Sequence, residues 1–320
     1  MARIKKIVRL DPARASTRRL ADLSRLVRRQ DFARPFKPGS GFDRFLDSLP
    51  AILAAGELRE LARRIARAHR AGRTFLLMGG AHSIKTGLSP LICELMREGI
   101  ISAVAMNGAA IIHDFELAFA GRTSEDVGAG LADGSFGMAR ETGEFLNHAA
   151  ALAAQEGRGL GEVIGREINR RRLKHRAISI FACAGELGIP ATVHVALGAD
   201  IIHMHPNADG AAIGRATLAD FHRLAEVVGT LSRGVVLNLG SAVIMPEVFL
   251  KALNLSRNLG CKVRDFTSAD MDFVRHYRPR VNVVERPTRN SGRGIMLTGH
   301  HEIMFPLLAA AVREELRRSG

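Results

Sequence analysis

Tryptophan is absent from the 320 residues and tyrosine occurs once, so large polar aromatic rings cannot dominate the core. Ala, Leu, Ile and Val must fill it instead. A hydrophobic content of 47% is enough for one large α/β domain or two smaller ones. Cysteine is scarce too. Cys93, Cys183 and Cys261 are odd in number, far apart and set in apolar sequence, which argues against a disulfide framework. They read as buried free thiols in a reducing cytoplasm. No apolar run approaches the ~18 residues of a membrane span. The charged start "MARIKKIVRL" has no signal-type apolar segment behind it, so no membrane association is expected. Lysine is confined to Lys5, Lys6, Lys37, Lys85, Lys174, Lys251 and Lys262, and none follows Lys262.

Arginine is abundant, and the formal net charge is +14. Such a balance raises the question of nucleic acid. The basic residues are strung along "STRRLADLSRLVRR", "LARRIARAHRAGR" and "INRRRLKHR" at spacings that suit exposed helix faces. No aromatic residues are interleaved with them to stack bases, so a nucleic-acid partner is not expected.

Residues 1–70 read as an N-terminal helical arm, and 71–320 as one α/β domain. In the arm, "DPARASTRRLADLSRLVRR" has an Asp-Pro start and helically spaced Leu20, Leu23, Leu26 and Val27. "RPFKPGSG" reads as a loop and "ELRELARRIARAHRAGR" as a second amphipathic helix. From there short apolar runs alternate with helices. "TFLLMGG", "ISAVAMNG", "ATVHVALGADIIHMHP", "GVVLNLGSAVI" and "KVRDFTSADMDF" read as strands, the last with its following loop. That alternation predicts a doubly wound, Rossmann-like parallel sheet covered on both faces. Ligands of such sheets sit beyond the C-terminal strand ends. Three of those ends, "MGGAHSIKTG", "MNGAAIIHD" and "NLGSAVIMPE", are rich in small residues, which let backbone N–H groups approach a phosphate and point to a dinucleotide.

From about Thr74 onward the chain resembles the deoxyhypusine synthase family, NAD-dependent transferases that move an aminobutyl group from the polyamine spermidine to a protein lysine. "TFLLMGGAHSIKTGLSPLICELMREGIISAVAMNGAAIIHDFELA" is similar to that family's first Rossmann-like unit, "GVVLNLGSAVIMPEVFLKALNLSRN" to its glycine-rich strand and helix, and "MFPLLAAAVREEL" to its terminal helix. "MGGAHSIKTGL…GAAIIHDFE" also resembles the NAD-binding domain of archaeal-type ornithine cyclodeaminases. By position, the resemblance implies NAD held near Gly80, His82, Ser83, Thr86, Asn107, Gly108, Gly240, Ser241, Thr267 and Ser268. It also implies a homo-oligomer, a tetramer with sites at subunit interfaces. The family's nucleophilic lysine, in a Trp-Gly-Lys motif, has no counterpart in the matching "VVERPTRN". A permanently protonated guanidinium such as Arg286 cannot replace it, so deoxyhypusine synthesis itself is not expected.

The polar clusters leave alternatives open. In "NGAAIIHDFE", His113 and Glu116 lie three apart on one helix face, with Asp114 beside them. They are candidate catalytic residues, His113 moving protons and the acids holding a cationic amine substrate; a solvated helix start is the rival reading. In "ALGADIIHMHPNADG", His203 and His205 alternate on a strand and would share a face, flanked by Asp200 and Asp209. They read as substrate contacts or, with His113 or His194, as ligands of a metal-dependent hydrolase. Asp270 and Asp272, past a strand end in "DFTSADMDF", would bind an ammonium group or lie in an exposed loop. "LADGSFGMARETG" offers Asp133 and Ser135 as a ribose loop or a plain turn, and "GHHEIMF" places His300 and His301 before the last helix. No metal is expected. A catalytically silent NAD-binding protein is the remaining alternative.

Overall fold

Phe75 and Leu77 pack into one core layer while their neighbours Leu76 and Met78 pack into another, on the far side of the same strand. A strand buried on both faces cannot alternate with polar residues, which is why its sequence is an unbroken apolar run. A computed structural model describes residues 8–318, leaving 1–7 (with Lys5 and Lys6) and 319–320 outside the described residues. Its sheet has six strands: β1 (Phe75–Gly79), β2 (Ala103–Asn107), β3 (Ala191–His194), β4 (Val235–Leu239), β5 (Thr267–Asp272) and β6 (Arg293–Thr298). All pairings are parallel, in the order β3-β2-β1-β4-β5-β6. The fold is therefore the expected doubly wound, Rossmann-like α/β sheet.

Helices Leu53–Arg70, Gly108–Ala120 and His301–Arg318 supply one apolar layer, and Gly210–Gly229 and Ile244–Asn258 the other. Helix Leu53–Arg70 buries Leu58, Leu61 and Ile65 and packs along His301–Arg318. No helix among the described residues is long and apolar enough to cross a membrane.

Three sequence expectations fail here. The helix expected over "DPARASTRRLADLSRLVRR" is replaced by short 3-10 turns at Pro12–Arg14, Leu20–Asp22 and Arg29–Asp31. Leu20 and Leu26 remain 72% and 94% exposed, so the amphipathic stripe has nothing to pack on, and an isolated helix of this length is marginal. The stretch holding His203 and His205 is no strand. β3 ends at His194, Gly198 turns the chain at φ +84°, and Ile201–Met204 is a 3-10 turn. Finally, β6 was not anticipated; as an edge strand it buries only alternate residues.

Candidate active site

The order of the strands puts a switch point between β1 and β4, whose chains continue toward opposite sides of the sheet. Two glycines meet there. The Gly80 N–H donates to Leu239 O (3.3 Å), and the Gly240 N–H donates to Met271 O (3.1 Å). A Cβ on Gly80 would stand 2.9 Å from Gly240 O, and one on Gly240, where φ is +68°, would stand 2.7 Å from the His301 ring. Glycine is required at both positions because neighbouring backbone and imidazole occupy the space of a side chain. Beside these turns, exposed His82 lies with its ring 5.1 Å from that of His301 and 5.6 Å from Phe273. Phe273 in turn stacks parallel to His300 at 6.4 Å. The rim thus offers flat faces to a heterocycle.

Beneath the rim the floor is acidic. Asp270 and Asp272 lie inside β5, not in an exposed loop, at 1% and 4% exposure. Asp270 Oδ1 accepts from Asn238 Nδ2 (2.7 Å) and its Oδ2 has no partner. Burial, partly offset by Asn238 and reinforced by Asp272, pushes the Asp270 carboxyl up to about 7. Asp272 Oδ1 accepts from the Phe273 N–H and stands 3.5 Å from His301 Nε2. His301 is fully buried, makes no hydrogen bond through either ring nitrogen, and is held below the usual imidazole range by burial.

Helix Gly108–Ala120 starts directly after β2, capped by Asn107 Oδ1 on the Ala110 N–H (3.1 Å). A Cβ on Gly108 would collide with the Asp200 carboxylate, so this glycine makes room for Asp200 rather than for an approaching pyrophosphate. Asp200 is 7% exposed, its Oδ2 has no partner, and burial raises its carboxyl to about 6. A second anion at this helix start would have to displace it. Sequence reasoning treated Asp200 only as a flank of the histidines. Its signal was that it is the first acid after the β3 end.

One turn further on, the opening cluster divides. His113 Nδ1 lies 2.6 Å from Thr123 Oγ1, and that hydroxyl donates to Glu116 Oε2 (2.5 Å). Because Thr123 spends its proton on Glu116, its oxygen accepts from His113 Nδ1–H, which leaves Nε2 as the imidazole's lone-pair nitrogen. Thr142 Oγ1 donates to the other Glu116 oxygen (3.3 Å). Burial, with Lys85 nearby, lowers His113 to about 4, so it is neutral at pH 7; burial raises Glu116. Thr123 is the link that the sequence did not reveal. Asp114 faces the opposite way, fully buried, accepting from Ser179 Oγ (2.5 Å) and the Ile180 N–H (2.7 Å). It holds the start of helix Ile180–Leu187 and is not part of a solvated helix start.

Other expected contacts are also diverted. Ser83 is buried and donates to Gly80 O (2.9 Å), Thr86 donates to His82 O (3.0 Å), and Ser241 Oγ accepts from the Met245 N–H (3.2 Å). Thr267 and Ser268 begin β5, at the edge of the sheet opposite to Gly80 and Gly240, and Ser268 donates to Val283 O (2.5 Å). The error was one of register: strand β5 contains the acids that were read as its loop. His205 Nε2 donates to Gly137 O (2.9 Å), whereas His203 Nδ1 accepts from the Gly198 N–H (3.2 Å), so the two rings turn to different partners. Among the described residues no group of three or more His, Cys, Asp or Glu could hold a metal ion. Cys93 and Cys183 are buried free thiols, but Cys261 is exposed.

These features define a Rossmann-like α/β protein whose two glycine turns meet at its switch point. Solved structures sharing the fold include the arginine dihydrolase ArgZ of the cyanobacterial ornithine–ammonia cycle (TM-score 0.52, 14% identity, 84% of this chain and 33% of that one). AgrE, solved in a ternary complex with ornithine and NAD+, matches equally well (TM-score 0.52, 14% identity, 84% and 34%). A candidate deoxyhypusine synthase from Entamoeba histolytica matches over 87% of this chain and 95% of its own (TM-score 0.50, 12% identity). The chain thus spans about a third of ArgZ and AgrE. No protein-family model matches the sequence, and no curated protein matches it.

Proposed function

We propose that this chain binds NAD across the β1/β4 switch point and is a deoxyhypusine synthase-like enzyme acting on an amine or polyamine. The observation that carries the reading is the Gly80–Gly240 approach, set above buried polar atoms without partners on Asp200, Asp270 and His301. The fold shared with AgrE, whose structure holds NAD+ and ornithine, supports the same pairing of ligands. Gly80, His82, Asn107 and Gly240 would frame the dinucleotide, with His82 and Phe273 offering ring faces, while Asp200 keeps the start of helix Gly108–Ala120 from the pyrophosphate. Bound NAD would accept a hydride from the carbon bearing the amine and return it later. Asp200, ionised above about pH 6, would hold the ammonium group, helped by Glu116 and by Asp270 and Asp272. Neutral His113 would take a proton through Nε2 while Thr123 and Glu116 fix its tautomer.

The missing lysine separates this reaction from deoxyhypusine synthesis. The segment "VVERPTRN" runs through a π-helical turn (Pro279–Glu285) and takes Arg286 away from the switch point, beside Arg264 and Ser291 that precede β5 and β6. Incubation with spermidine, NAD and acceptor protein should leave the acceptor lysine unmodified; a modified lysine would overturn this point. A homotetramer is proposed from the family resemblance alone, and mass photometry tests it. Calorimetry tests the cofactor. NAD should bind the wild-type chain and bind much more weakly to Gly80→Ala, whose methyl group must press on Gly240 O. Absence of binding to the wild type at millimolar NAD, or undiminished binding to the variant, would sink the reading.

A further inference from the structure

The opposite edge of the sheet carries a second recess of different character. A cavity of about 560 Å³ lies between the turn after helix Ile244–Asn258 and the approaches to β5 and β6. Its lining includes Arg257, Lys262, Arg264 and Arg286, and no carboxylate. Several guanidiniums elsewhere on the surface are paired with carboxylates: Arg166 with Glu156, Arg313 with Glu94 and Glu98, Arg318 with Asp47. The cavity cations instead find neutral acceptors. Arg257 donates to Val263 O (3.0 Å) and Arg286 to Asn282 Oδ1 (2.7 Å), while the adjacent Glu285 is engaged by Arg280. Burial, and then the charge of Arg264, hold the Arg257 guanidinium below its usual range. Folding therefore gathers like charges that an incoming anion would relieve, and a recess walled by one sign of charge concentrates its field.

We propose that this recess binds the oligophosphate chain of a small anionic ligand, with the three arginines as forked donors and Lys262 as a point charge. Its volume falls within the range of about 300–1,000 Å³ typical of small-molecule sites. Asn290 and Ser291 add neutral polar groups to the wall. No aromatic side chain lines it, so single-stranded nucleic acid would find no platform for its bases. The inference does not rest on the NAD reading, because it concerns other residues at the other end of the strands.

Cys261 makes the site measurable. It lines the recess and is exposed, whereas Cys93 and Cys183 are buried. Dithiobis(nitrobenzoate) should label Cys261 in the full chain, as peptide mass spectrometry can verify. Tripolyphosphate should slow that labelling by roughly tenfold or more, well beyond the effect of sodium chloride at matched ionic strength. Calorimetry should register tripolyphosphate and ATP alike, since the phosphate chain is what is recognised. Arg264→Glu should abolish protection and heat, Arg264→Lys should largely keep them, and circular dichroism should show both folded. The proposal is overturned if sodium chloride protects as well as tripolyphosphate, if folded Arg264→Glu binds undiminished, or if NAD displaces tripolyphosphate.

Discussion

The two ends of the parallel sheet have opposite electrostatic designs. At the C-terminal edge the ionisable groups are acidic and buried: Asp200, Asp270 and Asp272. At the N-terminal edge they are basic and open to solvent: Arg257, Lys262, Arg264 and Arg286. A buried acid without a full set of partners has given up its hydration, so a ligand that supplies the missing donor gains a strong and geometrically specific contact. An exposed basic cluster keeps its hydration and acts through its field, which salt weakens. The first arrangement suits selection of a substrate, and the second suits capture of an anion.

Several experiments would break or sharpen that contrast. The largest effect is expected at the relay beside the acidic edge. His113→Ala should lower turnover by about 10²–10⁴, the range for a general acid or base, with NAD affinity nearly intact. Unchanged turnover would remove His113 from the chemistry, and Thr123→Val should reproduce part of the loss by freeing the tautomer. Next comes Asp114, which is buried and acidic yet turned away from the switch point. Asp114→Ala should cost about 1–3 kcal/mol in urea unfolding, because buried donors at the start of helix Ile180–Leu187 lose their acceptor. A changed KM at unchanged stability would reverse that assignment.

An effect visible through its pH dependence is expected at Asp270. Burial pushes its carboxyl up to about 7, from an ordinary value of 3.8. Between those values the folded chain binds more protons than the unfolded one at this site, so the Asp270 contribution to stability falls as pH rises through the window. Asp270→Asn keeps the shape and should be more stable than wild type at pH 8, with the gap closing below about pH 4. Thermal melts showing a gap that widens on acidification would contradict the burial argument. The smallest effect is expected at Thr267. Placed at the opposite edge, Thr267→Val should shift the free energy of NAD binding by less than about 0.5 kcal/mol, and a larger calorimetric change would bring the two edges into communication.

Most of the fold was legible because three of its strands are largely apolar runs closed by small residues, and burial on both faces writes that pattern directly. β6 was illegible for the converse reason: only Ile295 and Leu297 are fully buried. The arm misled because helical spacing marks a possible apolar face without showing that anything covers it. In the site, the glycine turns were readable from sequence, whereas side-chain direction was not. Asp114 and Glu116 lie two residues apart, which on a helix sends them to nearly opposite sides, one into a cap and one to Thr123. Thr267 was misplaced because β5 carries Ser268, Asp270 and Asp272 in its interior, and a strand that polar reads as a loop.

The strand order also governs how the molecule assembles. β1 pairs on one side with β2, which follows closely in sequence, but on the other with β4, so Phe75 waits for Val235. During synthesis, β1, β2 and β3 are complete by His194, while the hydrogen-bonding edge of β1 stays uncovered until β4 emerges. That edge is apolar on both faces, the kind that recruits other chains. Nonlocal pairings of this kind favour slow folding and leave unpaired edges open to aggregation. The junction between Gly80 and Gly240 is therefore among the last parts of the sheet to close.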